Sequence, residues 1–327
     1  LSLFKESSIS IQSSDVSLDG LKLIFRGEEK RYRIKAGTEA QKNDIAFSFG
    51  GFWANIFGRG ETLEANASYG TTSSTPILLS FKKPLFGDPD RIVDISFTNT
   101  SMARNSWQPF ATKLHQFALS CSMPSRYGMH LIKSTVEHRS LLDFDPSSSP
   151  LIRNQQGNFI RSSISHIVTL DRRNDRVLPT SGHYIKCNSE LCNNVTGSGV
   201  FLKQELYCQL VRPIINGDFA FALSGHCGVI NSLRSNSILF SDRFHMGGPN
   251  SLRGFQTNSL GPRDQEDCLG GKYLSEAGLQ FSFPFSQATK KVVRGHLFVN
   301  SGVLSDVLVP FRSIKDHMHS SIGCGIG

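Results

Sequence analysis

The chain lacks any apolar stretch fit to cross a membrane as a helix. A spanning helix needs about 20 consecutive apolar residues. The longest uncharged runs, 45–58 and 220–233, are shorter and are broken by Ser, Asn, His or several Gly. Runs of five basic residues and basic–aromatic interleaving are absent too, so nucleic acid is not an expected partner. The net charge of +8 is spread along the chain, which fits solvated Lys and Arg, a basic lumen or an anionic membrane surface. No nucleophile elbow, zinc-protease helix motif, phosphate loop or dinucleotide fingerprint occurs, and the ten His are dispersed. Catalysis, a cofactor and a metal are therefore not expected. The seven Cys (121, 187, 192, 208, 227, 268 and 324) include no CxxC pair and are too irregularly spaced for a disulfide framework. They read as free thiols. With 39% hydrophobic and 19% charged residues, the chain is too apolar for disorder and too polar for a helical membrane bundle.

What is present has a period of two. Ile45, Phe47 and Phe49 alternate with Ala46, Ser48 and Gly50, and Phe219, Phe221 and Leu223 alternate with Ala220, Ala222 and Ser224. Ala277, Leu279, Phe281 and Phe283 repeat the pattern, as do Leu297, Val299 and Val303. Such alternation puts one set on each face of a sheet. About fourteen such segments follow residue 31, each near the length of a tilted membrane-spanning strand. The 24 Phe and 29 Gly are spread through them, as lipid-facing and curved strands allow. Unpaired edge groups have no water to bond in lipid, so these strands should close. The expected fold is an all-β, transmembrane antiparallel β-barrel over 31–327.

Residues 1–30 read differently. A short connection at Ser14-Asp15 and one strand from Gly20 to Arg26 suit a small soluble module, but the segment is too short for its own core. The chain begins at Leu1 and stops at Gly327 within an alternating pattern, so both ends are expected to be cut. Between about 231 and 268, alternation gives way to Gly-Pro punctuation with Arg243, Arg253 and Arg263 beside Phe244 and Phe255. A connection of that length is functional or disordered; its aromatic content predicts order.

Four motifs occur here in series. Asp171-Arg-Arg-Asn-Asp-Arg-Val-Leu-Pro-Thr-Ser-Gly182 presents Asp171, Arg173, Leu178, Pro179 and Gly182 as a hairpin signature opening a strand. Asp242-Arg-Phe-His-Met-Gly-Gly-Pro-Asn-Ser-Leu-Arg-Gly-Phe255 contains Gly247, Gly248, Pro249 and Ser251, then Arg253, Gly254 and Phe255. Leu269-Gly-Gly271 and Phe298-Val-Asn-Ser-Gly302 follow. This series resembles the outer-membrane β-barrel assembly superfamily, and within it the core-subunit family of the mitochondrial sorting and assembly machinery. The likeness runs from the last strand of one POTRA-type module to the fourteenth of roughly sixteen barrel strands. Where bacterial members carry Asp and Glu, this chain has Asn300 and Gln280, which matches the mitochondrial branch at Asn300 and weakens any reading of an Arg–carboxylate pair.

The resemblance implies an insertase for β-barrel precursors in the mitochondrial outer membrane, with the POTRA side facing the intermembrane space. Its implied partners are unfolded precursors, accessory subunits and the lipid bilayer. It also implies that loop 231–268 folds into the lumen. Arg253 would then meet an inner wall of Phe298, Asn300, Gly302 and Gln280, with Asn300 and main-chain carbonyls accepting its donors, since an unpaired buried guanidinium is costly. The plainer alternative is a solvated Arg on a surface loop. Tyr32, Arg33, Ile34, Lys35, Ala36 and Gly37 fall in the expected first barrel strand, polar and loosely gripping, as a gate for strand addition would be; an ordinary barrel strand is the alternative. A protein-translocating pore and a passive solute channel are the rival functions. Continuous selective conductance without a client would favour the channel.

Overall fold

The computed structural model describes residues 4–13, 21–29, 31–41, 44–70, 76–105, 107–196, 199–214, 218–234, 238–285, 293–310 and 314–326. Strands β1 (Phe4–Ser13) and β2 (Leu21–Glu29) form an antiparallel hairpin with a sheet of its own. The connection expected at Ser14-Asp15 lies outside the described residues. A second sheet then takes its strands in sequence order: β3 (Tyr32–Gln41), β4 (Asp44–Ala54), β5 (Thr62–Gly70), β6 (Ile77–Leu85), β7 (Asp88–Met102), β8 (Ala111–Ser125) and β9 (Gly128–Leu142). It continues through β10 (Gly157–Asp171), β11 (Gly182–Asn194), β12 (Gly199–Ile214) and β13 (Phe219–Arg234). A long excursion follows, in which β14 (Arg263–Asp264) and β15 (Asp267–Cys268) pair only with each other. The sheet resumes with β16 (Tyr273–Pro284), β17 (Arg294–Ser305) and β18 (His319–Ile326), which brings it to fourteen strands. Sequential pairing needs only short connections, which is why alternation alone located these strands.

The chain divides into two compact units, one of strands up to β7 and one of strands from β9 onward, with β8 contributing to both. In the first, Tyr32, Ile34, Phe47, Phe49 and Trp53 share one face and are all exposed, Tyr32 at 72% and Phe49 at 60%. In the second, Leu223, Leu279, Leu297, Val299 and Ile322 are exposed on one face, while the alternate positions are covered. In water so many exposed large side chains would be anomalous. Facing hydrocarbon, they are what holds a barrel strand in the bilayer.

The buried core lies on the other face of the second unit and is made with the excursion. Cys192, Phe201, Ile230, Leu274 and Leu304 of the wall pack with Ile238, Phe244, Met246, Leu252 and Leu260 of the loop. A second cluster joins Phe110, Leu141, Ile152 and Phe240, flanked by Trp107, Phe144 and Phe159. Ile152 belongs to a single helical turn, α1 (Pro150–Arg153), capped by Ser149, whose Oγ accepts from the Leu151 amide at 3.1 Å. Sequence reading had found no helix here. Four residues are too few for helical periodicity, although Ser149-Pro150 is a helix-start signal.

Candidate functional site

The excursion lies against the inner face of the second unit and engages it at successive stations. Its first described residues, Ile238 to Phe240, are buried, and Phe240 meets the Phe110 ring edge-on at 5.6 Å. A 3-10 turn then directs Asp242 into the wall. Its carboxylate accepts from Arg139 of β9 at 3.1 Å and from the Asn194 amide of β11 at 3.1 Å. Arg161 of β10 stands 3.6 Å from it. Arg161 also donates to Glu137 at 3.2 Å and to Glu190 at 2.9 Å. Lys203 of β12 reaches the Asp242 carbonyl at 3.4 Å and lies 4.4 Å from the centre of the Phe244 ring.

Further along, glycines in the wall admit loop side chains. A Cβ on Gly228 would lie 2.5 Å from the Phe244 ring, and one on Gly302 would lie 2.7 Å from the Met246 sulfur. The chain then turns through Gly247 and Gly248, at φ of 115° and 101°, values that L side chains avoid. Pro249 and Ser251 border a polar cavity of about 140 Å³ with Arg253, Gln280, Asn300, His226 and Glu276. Ser251 Oγ donates to the Glu276 carboxylate, which also faces His226 Nδ1 at 3.2 Å.

Arg253 lies across the Phe298 ring, its Cζ 4.8 Å from the centroid. The resemblance implies Asn300 and main-chain carbonyls as acceptors for its donors. Among the described residues no hydrogen bond joins them, although both line the same cavity. Phe298 and Asn300 are two apart on the same face of β17, and the planar guanidinium takes the ring rather than the amide. Gly254, at φ 89°, lies against Ser321 of β18, and Phe255 meets His319 edge-on at 5.9 Å. The loop thus reaches from β9 to β18.

The upstream hairpin signature makes a second site on this face. Arg173 forks onto Asp171, with Nε to Oδ1 at 2.9 Å and a terminal nitrogen to Oδ2 at 2.8 Å. Its other terminal nitrogen donates to Gln209 of β12 at 3.0 Å, and its Cζ lies 4.6 Å from the centre of the Tyr184 ring. Gly182, at φ 109°, has no room for a Cβ beside the Arg172 carbonyl. In the turn, Asp175 accepts from the amides of Leu178 (2.9 Å) and Val177 (2.7 Å), and Pro179 is half-buried. Those two amide donors hold the Asp175 carboxyl below its ordinary value. A carboxyl with a lowered folded-state pKa stabilises above the unfolded value, and that stabilisation is lost as pH falls through the lowered one. Amide exchange at Val177 and Leu178, corrected for its intrinsic pH dependence, should therefore lose protection on acidification through and below the ordinary Asp range. Unchanged protection in that window would contradict this assignment.

In the first unit, β3 pairs with β4 along its length. Tyr32, Ile34 and Ala36 share a face with Trp53, Gly51 and Phe49, while Arg33, Lys35 and Gly37 lie on the other. Ser48 Oγ donates to the Gly37 carbonyl at 3.2 Å.

Sequence reading missed Asp242, the two wall arginines Arg139 and Arg161, and Glu276. Asp242 opened the signature but carried no sign of its partners. Glu276 was accessible to inspection, because period two places it on the same face as Gln280.

A sequence-family model described as the Omp85 superfamily domain matches residues 55–327. A SAM50-like protein of Schizosaccharomyces pombe is 27% identical over 340 residues, covering 99% of this chain and 71% of that protein. The human sorting and assembly machinery component 50 homolog is 28% identical over 341 residues, covering all of this chain and 72% of that one. Among solved structures, BamA from Haemophilus ducreyi superposes with a TM-score of 0.78 at 17% identity, over 99% of this chain and 69% of that one. That likeness is one of fold, a membrane β-barrel. With the family model covering five-sixths of its length, and with the loop and hairpin signatures lying within the match, the chain belongs to the Omp85 superfamily.

Proposed function

We propose that this protein folds and inserts β-barrel precursors into the mitochondrial outer membrane, admitting their strands at an open edge of its own sheet. The observation that carries the reading is the likeness, along the whole of this chain, to sorting and assembly machinery components, together with a superfamily loop packed along the inner wall. Loop residues Phe244, Met246, Leu252 and Leu260 cover part of the inner wall that a solute pore would use to line a diffusion path.

Strand addition needs no reactive group. An incoming strand supplies main-chain donors and acceptors to an unpaired edge, with little demand on its side chains. The first strand of the sheet order, β3, suits that role. Its Arg33, Lys35 and Gly37 leave one face without apolar grip, and its hydrogen bonds to β4 leave its other edge to a partner. The β1–β2 hairpin is read as the end of a POTRA-type module on the intermembrane-space side. The partners in this reading are unfolded precursors, accessory subunits of the assembly complex and the surrounding lipid.

The test is crosslinking from Ile34→Cys and Ala36→Cys, in the full-length protein, to a Cys in the last strand of an arrested precursor. A ladder of products whose register shifts by two between the variants is expected. Absence of any product at both positions would sink the edge model. Transport of a soluble passenger by the purified protein, without insertion of a test barrel, would instead mark a translocating pore.

A further inference from the structure

The loop's two ends are held by different chemistry. At the tip, Arg253, Phe255 and Gly254 touch β17 and β18 through ring faces and van der Waals contact, and Gly254 is exposed. At the root, Asp242 is 2% exposed and sits in a set of charges drawn from four adjacent strands. Every other ionic member of that set, Glu137, Arg139, Arg161, Glu190, Lys203 and the Glu205 paired with it, belongs to the wall; Asp242 alone comes from the loop. The wall presents Arg139, Arg161 and Lys203 toward it; Glu137 is shared by the two arginines, Glu190 pairs with Arg161, and Glu205 lies 3.5 Å from Lys203.

A buried carboxylate among guanidinium donors is fixed in direction as well as in place, because each Arg offers a planar fork. The chain between Asp242 and Arg253 is short and is further pinned where Phe244 and Met246 enter the wall at Gly228 and Gly302. The root therefore sets where the tip can reach. We propose that Asp242 is a positioning residue for client insertion: it docks the loop root on β9–β12, so that Arg253 and its neighbours meet β17 and β18. This rests on the insertase reading given above, since only an assembly cycle would use the placement.

The experiment measures loop position and client insertion separately. Spin labels are placed at exposed Gln256→Cys and Ser320→Cys, in the full-length protein in lipid nanodiscs. The native cysteines are replaced by Ser, except for the buried Cys192. Electron double-resonance distances are compared for the otherwise unaltered protein, Asp242→Asn, Asp242→Glu and Glu190→Gln. Insertion of a radiolabelled precursor is assayed in parallel, and retention of the heat-modifiable folded form on gels certifies folding.

Asp242→Asn should broaden the distance distribution and lower the insertion rate about tenfold, as expected for loss of a desolvated charge partner. Asp242→Glu should restore much of both. Glu190→Gln, which alters the wall but not the loop, should leave the distance in place. A narrow, unshifted distribution in folded Asp242→Asn overturns the positioning role whatever the insertion rate does. A broadened distribution with normal insertion keeps the docking role but removes its link to function, and so counts against the loop's part in the insertase reading. If Asp242→Asn fails to fold, a distribution in Asp242→Glu as broad as that of a variant with Gly inserted after Asp242 would likewise overturn the proposal.

Discussion

Replacing Arg253 with Ala should lower client insertion about tenfold while the protein still integrates into the membrane. The guanidinium stacks on Phe298 at 4.8 Å in a half-buried setting, where such a contact contributes on the order of 0.5–2 kcal/mol. About 1.4 kcal/mol is a factor of ten in a rate or an equilibrium. The strand pairing of β16, β17 and β18 does not involve this side chain, so integration of the protein itself should survive. The partner can be identified by comparison. Phe298→Leu should approach the Arg253→Ala effect, whereas Asn300→Ala should change insertion by less than about twofold, because Arg253 makes no hydrogen bond to it among the described residues. Insertion kinetics of a radiolabelled precursor would decide it. If Asn300→Ala were as damaging as Arg253→Ala, the amide would be the true acceptor and the ring contact incidental.

That comparison marks how far the sequence could be read. Alternation such as that of Phe219, Phe221 and Leu223 depends only on which face a residue takes, so strands and lipid-facing positions were legible. The loop and β17 motifs were legible because each is local, and the expectation that Arg253 meets β17 came from the resemblance rather than from alternation. The choice between Phe298 and Asn300 was not legible. Both sit on the inner face of one strand, and the outcome depends on the angle at which the loop arrives. That angle is set by contacts distant in sequence, including Asp242 with Arg139, Phe244 with Gly228 and Met246 with Gly302. The turn at Pro150 was missed for a related reason: Ile152 is helical because it completes an aromatic cluster with Phe110 and Phe240, and nothing in its own four residues is periodic.

The largest loss of stability should follow Arg161→Met. Arg161 is 11% exposed and serves three carboxylates, those of Glu137, Glu190 and Asp242, which are 7%, 18% and 2% exposed. Arg139 remains for Glu137 and Asp242, but no other cation is paired with Glu190 among the described residues. Removing one partner of a buried ionic set commonly costs about 3–5 kcal/mol, mostly because the opposite charges stay buried without it. Urea unfolding of the protein in lipid vesicles, followed by Trp fluorescence, should report a loss of that size. Charge should matter more than the number of contacts. If so, Arg161→Met combined with Glu137→Gln and Glu190→Gln should recover a large part of the loss, even though it removes more hydrogen-bonding groups than the single change. A triple variant less stable than Arg161→Met alone would show that the wall is held here by the geometry of its hydrogen bonds and not by the balance of its charges.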